Sequence, residues 1–148
     1  MAEAIAVNYS LMADELALLG DFSKGRGLDI GSGLGDLAIE VAQRYPGLAL
    51  TGIDISAQAA VIAREKAKNK NLKNIDTSAA NKPRHSWRGR IWPLEYSALG
   101  TPGFSPGGLH FCLADVHELP FISASMDLVV SHGAIHHLRD LRQALAEI

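Results

Sequence analysis

The sequence has 148 residues, the usual size of one domain, and we expect a single domain over 1–148. Hydrophobic residues make up 47% and charged residues 20%, as in ordinary soluble globular proteins, and the net charge of −2 disfavours a dedicated nucleic-acid-binding protein. No apolar run approaches the roughly 20 residues that span a bilayer, and the N-terminus lacks a signal-peptide pattern. We therefore expect a cytoplasmic protein that does not bind membranes.

The first half of the chain predicts alternating helices and strands. A leucine-rich helical repeat covers 11–19, and the short apolar run at 27–31 is typical of a buried strand. An amphipathic helix follows at 36–45 and is ended by Pro46. The next apolar run, 48–55, predicts a second strand.

The second half continues the same alternation. Ser56 is a good N-cap for a helix that reaches about Asn69. Two further apolar strands are predicted at 109–116 and 126–135, and a helix at 138–148. Strands that alternate with helices predict a mostly parallel sheet covered on both faces, which is an α/β, Rossmann-like three-layer sandwich.

One segment, at about 76–108, does not fit this alternation. It contains four of the six prolines, five glycines and both tryptophans, without a sustained helix or strand period. Its four basic residues, together with Trp87, Trp92 and Tyr96, permit a nucleic-acid-binding interpretation. A substrate lid and a surface insertion without chemistry are the alternatives, and the last is the interpretation we favour.

The segment "LDIGSGLGD" joins the first predicted strand to the helix after it and places Gly31, Gly33 and Gly35 at every second position. Such a turn lets a ligand approach the bare backbone at a helix N-terminus. The dinucleotide pattern G-x-G-x-x-G is not met, because its third glycine position is Asp36. Together with Asp29, this carboxylate would repel a pyrophosphate and attract a cationic nucleoside.

Two more carboxylates follow predicted strands. Asp54 ends the second strand, beside the glycine loop in this fold, where it can accept hydrogen bonds from both hydroxyls of a ribose. Asp115 ends the third strand, where it can accept from the exocyclic amine of a base. Open α/β sheets bind ligands at this end of their strands.

With these residues in place, the chain resembles the class I S-adenosylmethionine-dependent methyltransferases, in particular their small-molecule branch. The resemblance covers roughly 1–75 and 109–148. It rests on four motifs in order: "LDIGSGLG", "TGIDIS", "LADVHELPF" and "MDLVVSHGAIHHL". It implies S-adenosylmethionine as the cofactor, methyl transfer to a small-molecule acceptor as the activity, and no metal.

The resemblance also implies roles for single residues. The cofactor-binding set is Asp29, Gly31, Ser32, Gly33, Gly35, Asp54, Ile55, Asp115, Val116 and Ser131. In that set Asp29 would help to hold the amino group, Ile55 would pack on the adenine, and the N–H of Val116 would reach a ring nitrogen. Ser131 would lie beside the methionine end.

Chemistry in this family is in-line displacement at a sulfonium methyl, so the protein mainly aligns the acceptor and excludes water. A general base is needed only for some acceptors. His132 and His136, with His137, follow the fourth predicted strand and are candidates for that base. Helix starting, capping or packing is the alternative role.

The family's sheet has seven strands in the order 3-2-1-4-5-7-6, and this sequence predicts only 3-2-1-4, so strands 5–7 are lacking. The fourth strand would then present a bare apolar edge, which favours pairing with a second copy or another partner chain. A fragment, or a gene product with an inserted segment and an early stop, is one hypothesis for this shortage. The functional alternatives are a module that binds S-adenosylmethionine without transfer, a remnant without activity, and, more weakly, an NAD-dependent reductase.

Overall fold

The computed structural model describes residues 8–70, 72, 75–76, 107–121 and 123–148. Its helices are α1 (Tyr9–Glu15), α2 (Asp36–Arg44), α3 (Ala57–Asn69) and α4 (Leu141–Glu147), with short 3-10 turns at Leu16–Leu18 and Ile135–His137. Its strands are β1 (Gly25–Ile30), β2 (Leu48–Asp54), β3 (Ile75–Asp76), β4 (Leu109–Leu113) and β5 (Leu128–Val130). Most of the predicted insertion, 77–106, lies outside the described residues.

The strands form one sheet in the order β3-β4-β2-β1-β5, and every neighbouring pair is parallel. The third and fourth predicted strands are β4 and β5, so the predicted order 3-2-1-4 is confirmed. The two-residue strand β3 was not predicted, because Ile75 and Asp76 are too few to show a period. It pairs with Leu109 and His110 at the outer edge of β4.

Helices cover both faces of the sheet and make three layers. On one face α2 and α3 pack against the sheet, and the buried alanines of α3 (Ala60, Ala63 and Ala67) share a cluster with Leu50 and Phe111. On the other face Ala144 of α4 is buried with Leu28, Ile30 and Ile53. Side chains alternate between the two faces along each strand. Because both faces are covered by helices, successive residues of a strand face one helix layer or the other, and an apolar run results.

The end of the chain differs from the prediction. Helix α4 begins at Leu141 and not at residue 138, because the carboxylate of Asp140 caps it by accepting from the N–H of Gln143. Leu141, Leu145 and Ile148 are 44%, 59% and 51% exposed, and they line an open apolar groove with the outer side of β5. In the described part of the chain β5 pairs only with β1, as expected for a sheet without further strands.

None of the helices in the described ranges is long and apolar enough to cross a membrane.

Candidate functional site

A cleft of about 230 Å³ opens at the carboxyl end of β1. It lies where the sheet order changes direction, between the loop after β1 and the residues after β5, which is the usual ligand position in such sheets. Its walls are made by Tyr9, Asp29, Gly31, Ser32, Gly33, Leu34, Asp36, Leu37 and His132. Four of the ten predicted cofactor-binding residues line this cleft, and six do not: Gly35, which is buried, and Asp54, Ile55, Asp115, Val116 and Ser131.

Gly35 therefore belongs to the floor under the cleft, and the other five residues follow the ends of strands β2, β4 and β5. The reason for glycine at position 35 is packing, since a Cβ there would meet Phe111 and Ala63. Gly31 is required for the same reason, because its Cβ would collide with the methyl group of Ala134.

Gly33 is the glycine that leaves room for a ligand. Its φ of +51° lies in the left-handed region, and a Cβ built on it would meet nothing closer than the carbonyl oxygen of Gly31 at 4.0 Å. The neighbouring N–H of Ser32 donates to the carbonyl of Ile53 at 2.9 Å, which fixes the loop against β2. Backbone at Gly33 is thus open to a ligand at close range.

Asp54 is bonded directly to this loop. Its Oδ2 accepts from the N–H of Gly33 at 2.9 Å, and its Oδ1 accepts from the N–H of Ser56 at 2.8 Å. A carboxylate has about four acceptor positions, so both oxygens retain capacity for a ligand. The predicted closeness of Asp54 to the glycine loop is confirmed, and the hydrogen bond to Gly33 adds a second role that the sequence did not indicate.

Asp29 supplies a buried carboxylate to the cleft. The residue is 1% exposed, and its Oδ2 has no hydrogen-bond partner among the described residues. Burial, with the negative charge of Asp54 as a smaller cause, raises the pKa of Asp29 to about 7. A buried carboxylate with one oxygen left without a partner among the described residues is costly, and a cationic ligand in the cleft would relieve that cost.

The charge argument made from Asp36 needs a correction. Asp36 does line the cleft, but its Oδ1 lies 2.5 Å from Nζ of Lys66, so its charge is balanced within the protein. The attraction for a cationic group therefore depends on Asp29, with Asp54 nearby. Lys66 is on α3, and nothing in the local sequence indicated this pairing over 30 residues.

Asp115 follows β4, next to the end of β2, where the N–H of Ala114 donates to the carbonyl of Asp54 at 3.1 Å. Its Oδ1 accepts from the N–H of His117 at 2.9 Å and lies 2.6 Å from Nδ1 of the same residue. The backbone hydrogen bond from His117 is the main cause that lowers the pKa of Asp115. The structure therefore holds Asp115 as a carboxylate with one oxygen bonded within the protein.

The remaining predicted residues occupy three different environments. Ile55 is 74% exposed at the end of β2 and offers a free apolar surface there. The side chain of Val116 is 5% exposed and belongs to the core. Ser131 donates from Oγ to the carbonyl of Ile30 at 2.9 Å, which ties β5 to β1 at the rim of the apolar groove.

The two candidate catalytic histidines are separated by the fold. His132 lines the cleft, and its ring contacts Tyr9 edge-on with the ring centroids 5.3 Å apart. His136 lies in an exposed 3-10 turn against His137, with ring centroids 3.9 Å apart, and does not line the cleft. Tyr9 was missed by the sequence analysis, because a lone tyrosine before a helix carries no pattern.

Neither a metal centre nor a reactive thiol emerges from the described residues. No group of three or more His, Cys, Asp or Glu side chains could hold a metal ion there. Burial raises the pKa of Cys112 to about 11, so this thiol stays protonated and behaves as a core residue.

A protein-family model described as a methyltransferase domain matches residues 5–148. Among curated proteins, the release factor glutamine methyltransferase of Streptococcus pneumoniae is 49% identical over 45 residues, which are 30% of this chain and 16% of that one. The match to this relative is therefore local, and the match to the family model extends over nearly the whole chain.

Several solved structures have the same fold. A protein of Methanococcus maripaludis, described as a candidate S-adenosyl-L-methionine-dependent methyltransferase, gives a TM-score of 0.66 at 22% identity, over 94% of this chain and 48% of that chain. The YcgJ protein of Bacillus subtilis gives 0.62 at 20% identity, over 94% and 43%. Phosphoethanolamine N-methyltransferase 2 of Haemonchus contortus, in complex with S-adenosyl-L-methionine, gives 0.61 at 20% identity, over 93% and 24%. This chain spans about half, or less, of the length of these proteins.

Proposed function

Because the chain belongs to the methyltransferase-domain family, we propose that it binds S-adenosylmethionine and takes part in methyl transfer to a small-molecule acceptor. The observation that carries the proposal is the buried carboxylate of Asp29, which lines the cleft beside Gly33 and whose Oδ2 has no hydrogen-bond partner in the part of the chain that the structure describes. A dinucleotide would bring a pyrophosphate to this position, whereas S-adenosylmethionine brings an ammonium and a sulfonium.

The residues of the chain fit this cofactor in three places. Asp29 would pair with the ammonium group, and the open backbone at Gly33 leaves space for the ligand to approach. Asp54 retains acceptor capacity for the two ribose hydroxyls, and the free Oδ2 of Asp115 would accept from the adenine amine. The exposed side chain of Ile55 would cover one face of the base.

When bound, S-adenosylmethionine supplies a methyl group on a positively charged sulfur, and transfer breaks that carbon–sulfur bond while the acceptor forms a new bond to the methyl carbon. The protein's part is to hold the acceptor in line and to exclude water. Where the acceptor loses a proton, a base is needed near the transferred group.

Where the acceptor loses a proton, we assign the role of the base that takes it to His132 and not to His136. His132 is at the wall of the cleft, and the edge contact with Tyr9 fixes its ring there. A base must be within hydrogen-bond reach of its substrate, and His136 does not line the cleft. The hydroxyl of Tyr9 is a further polar group at the same wall.

The net charge of the chain, and not a recognised substrate site, is the argument for a small-molecule acceptor. The net charge of −2 gives no general attraction for nucleic acid. Incubation of the protein with methyl-labelled S-adenosylmethionine and a whole-cell extract tests this assignment, because label must pass to a low-mass species other than the cofactor. Label found only on protein would overturn the small-molecule assignment.

A module that binds the cofactor without transferring its methyl group is the second candidate. It is favoured by the unpaired edge of β5 and the open apolar groove beside it, which leave the acceptor side of the described residues thinly covered. Calorimetric titration of the 148-residue chain separates the two. Micromolar binding with label transfer supports the enzyme, and binding without transfer supports the module.

A further inference from the structure

His117 lies between the exposed carboxylate of Asp115 and the start of α4. It is only 6% exposed, although the Asp115 side chain next to it is 51% exposed. Its Nδ1 lies 2.6 Å from Oδ1 of Asp115, and its Nε2 accepts a hydrogen bond from the N–H of Asp140 at 3.1 Å. Asp140 is the residue that caps α4.

These contacts determine the direction of each hydrogen bond. Because Nε2 accepts from a backbone N–H, the ring proton must be on Nδ1, so the ring donates to Asp115. The N–H of His117 donates to the same Oδ1 at 2.9 Å. Two donors on one oxygen fix the rotation of the carboxylate, and Oδ2 has no hydrogen bond to any of the described residues.

Two other hydrogen bonds tie the same loop to α4 without touching Asp115. Nε2 of Gln143 donates to the carbonyl of His117 at 2.9 Å, and the N–H of Leu119 donates to Oε2 of Glu147 at 3.1 Å. The loop would therefore stay attached to α4 if the imidazole were removed.

We propose that His117 is a positioning residue that holds the free oxygen of Asp115 ready for the exocyclic amine of adenine, and so sets the preference of the site for adenine over a 6-oxo purine. This proposal rests on the proposed function, since it takes the ligand to be an adenosyl compound. Without the ring, the half-exposed carboxylate of Asp115 would rotate in water. Binding would then have to order this side chain, and the lost conformational entropy would weaken the affinity. A mobile carboxylate would also turn away from a 6-oxo group, which repels it when it is fixed.

The test compares the dissociation constants of S-adenosylhomocysteine and S-inosylhomocysteine, which differ in the 6-amino and 6-oxo groups. We expect the native chain to prefer the adenosyl compound by about tenfold or more, as one hydrogen bond to a charged group allows. His117→Phe should reduce that ratio several-fold. His117→Asn, which can place an amide N–H at the position of Nδ1, should restore most of it, and His117→Gln, which retains only the acceptor for Asp140, should not.

Gln143→Ala is the matched control, because it loosens the contact between the loop and α4 but leaves both donors to Asp115. A ratio that is unchanged in His117→Phe, or that falls equally in Gln143→Ala, would overturn the proposal while the proposed function stands. Failure of the native chain to bind S-adenosylhomocysteine would overturn the proposed function and this inference with it. The ratio is independent of the folded fraction, so partial unfolding of a variant cannot imitate the effect.

Discussion

Oδ2 of Asp54 accepts a hydrogen bond from the N–H of Gly33 at 2.9 Å, and so joins the end of β2 to the middle of the glycine loop. The parallel register brings the two together, since Ile30 at the end of β1 pairs with Ile53, the residue before Asp54. Asp54 therefore has two tasks, because the carboxylate proposed to bind the ribose also sets the shape of the loop around the rest of the cofactor.

Replacement of Asp54 tests both tasks together. Asp54→Ala removes the acceptor for Gly33 and the acceptors for the ribose, so we expect affinity for S-adenosylmethionine to fall by about 100-fold, equivalent to roughly 3 kcal/mol. Asp54→Asn retains one acceptor oxygen and should lose less. Calorimetric titration measures both, with Glu65→Ala as control, since Glu65 is an exposed carboxylate that pairs with Lys68 on the surface. Unchanged affinity in Asp54→Ala would show that the ribose is held elsewhere.

Alanine substitutions in the glycine loop separate packing from ligand approach. Gly31→Ala puts a methyl group into that of Ala134, so we expect a large loss of thermal stability. Gly33→Ala meets open space and costs only the left-handed conformation, about 1–2 kcal/mol, but its methyl group enters the cleft. Thermal melting and titration should therefore show Gly33→Ala folded with weakened binding. Normal cofactor binding by Gly33→Ala would contradict the claim that the ligand approaches the backbone at Gly33.

Asp29 makes the stability of the ligand-free protein depend on pH. Its pKa is about 7 in the folded protein and 3.8 in the unfolded chain, so between these values the folded state retains a proton that the unfolded state releases. The corresponding stability is complete below pH 3.8 and is lost as the pH rises through about 7. Asp29→Asn does not ionise at this position and does not suffer this loss. The difference in free energy of unfolding between the variant and the native protein should therefore grow with pH and then level off, with an upper limit of about 4 kcal/mol.

Denaturant unfolding from pH 4.5 to 8.5 measures that advantage. Asp21→Asn is the control of opposite sign, because the N–H of Ser23 holds the pKa of Asp21 below its usual range, and its substitution should bring no gain above pH 4.5. An Asp29→Asn protein that gains nothing as the pH rises would mean that Asp29 ionises freely in the folded state. The same variant should bind S-adenosylmethionine more weakly, since it lacks the anionic partner of the ammonium group.

His132 and His136 provide a matched pair for catalysis. His132→Asn removes a ring at the wall of the cleft, so we expect label transfer from S-adenosylmethionine to the small-molecule fraction to fall by about 100-fold, the usual contribution of a general base. His136→Asn removes an exposed ring outside the cleft and should leave transfer within about twofold. Equal effects of both changes on transfer, with cofactor affinity intact, would count against a special role of His132.

The regular elements could be predicted because their signals are local. Ser56 accepts from the N–H of Ala59 at 3.2 Å as an N-cap should, and α3 ends at Asn69 as expected. The sheet order of the four main strands, 3-2-1-4, was implied by the family resemblance and not by the order of the motifs along the chain. By contrast, the start of α4 was misplaced, because the leucine spacing continued to residue 138 across the cap at Asp140.

The site was only partly predictable, because several of its contacts join residues that are far apart in the sequence. The pairing of Asp36 with Lys66 changes the charge of the cleft, and the contact of Tyr9 with His132 joins residues at opposite ends of the chain. Neither pair follows a period or a spacing. Each depends on the packing of two elements against each other, which no single segment encodes.

By itself, then, the sequence determined the alternation of strands and helices, the glycine loop and the three carboxylates Asp29, Asp54 and Asp115, because backbone conformation and apolar periodicity are properties of short segments. Only the tertiary structure decided which of these groups remains free for a ligand. Asp29 is buried without a partner for Oδ2, Asp36 is balanced by Lys66, and Asp115 is held by His117. The physical reason is that desolvation and hydrogen-bond partners depend on what the folded chain places around each carboxylate, and not on its neighbours in the sequence.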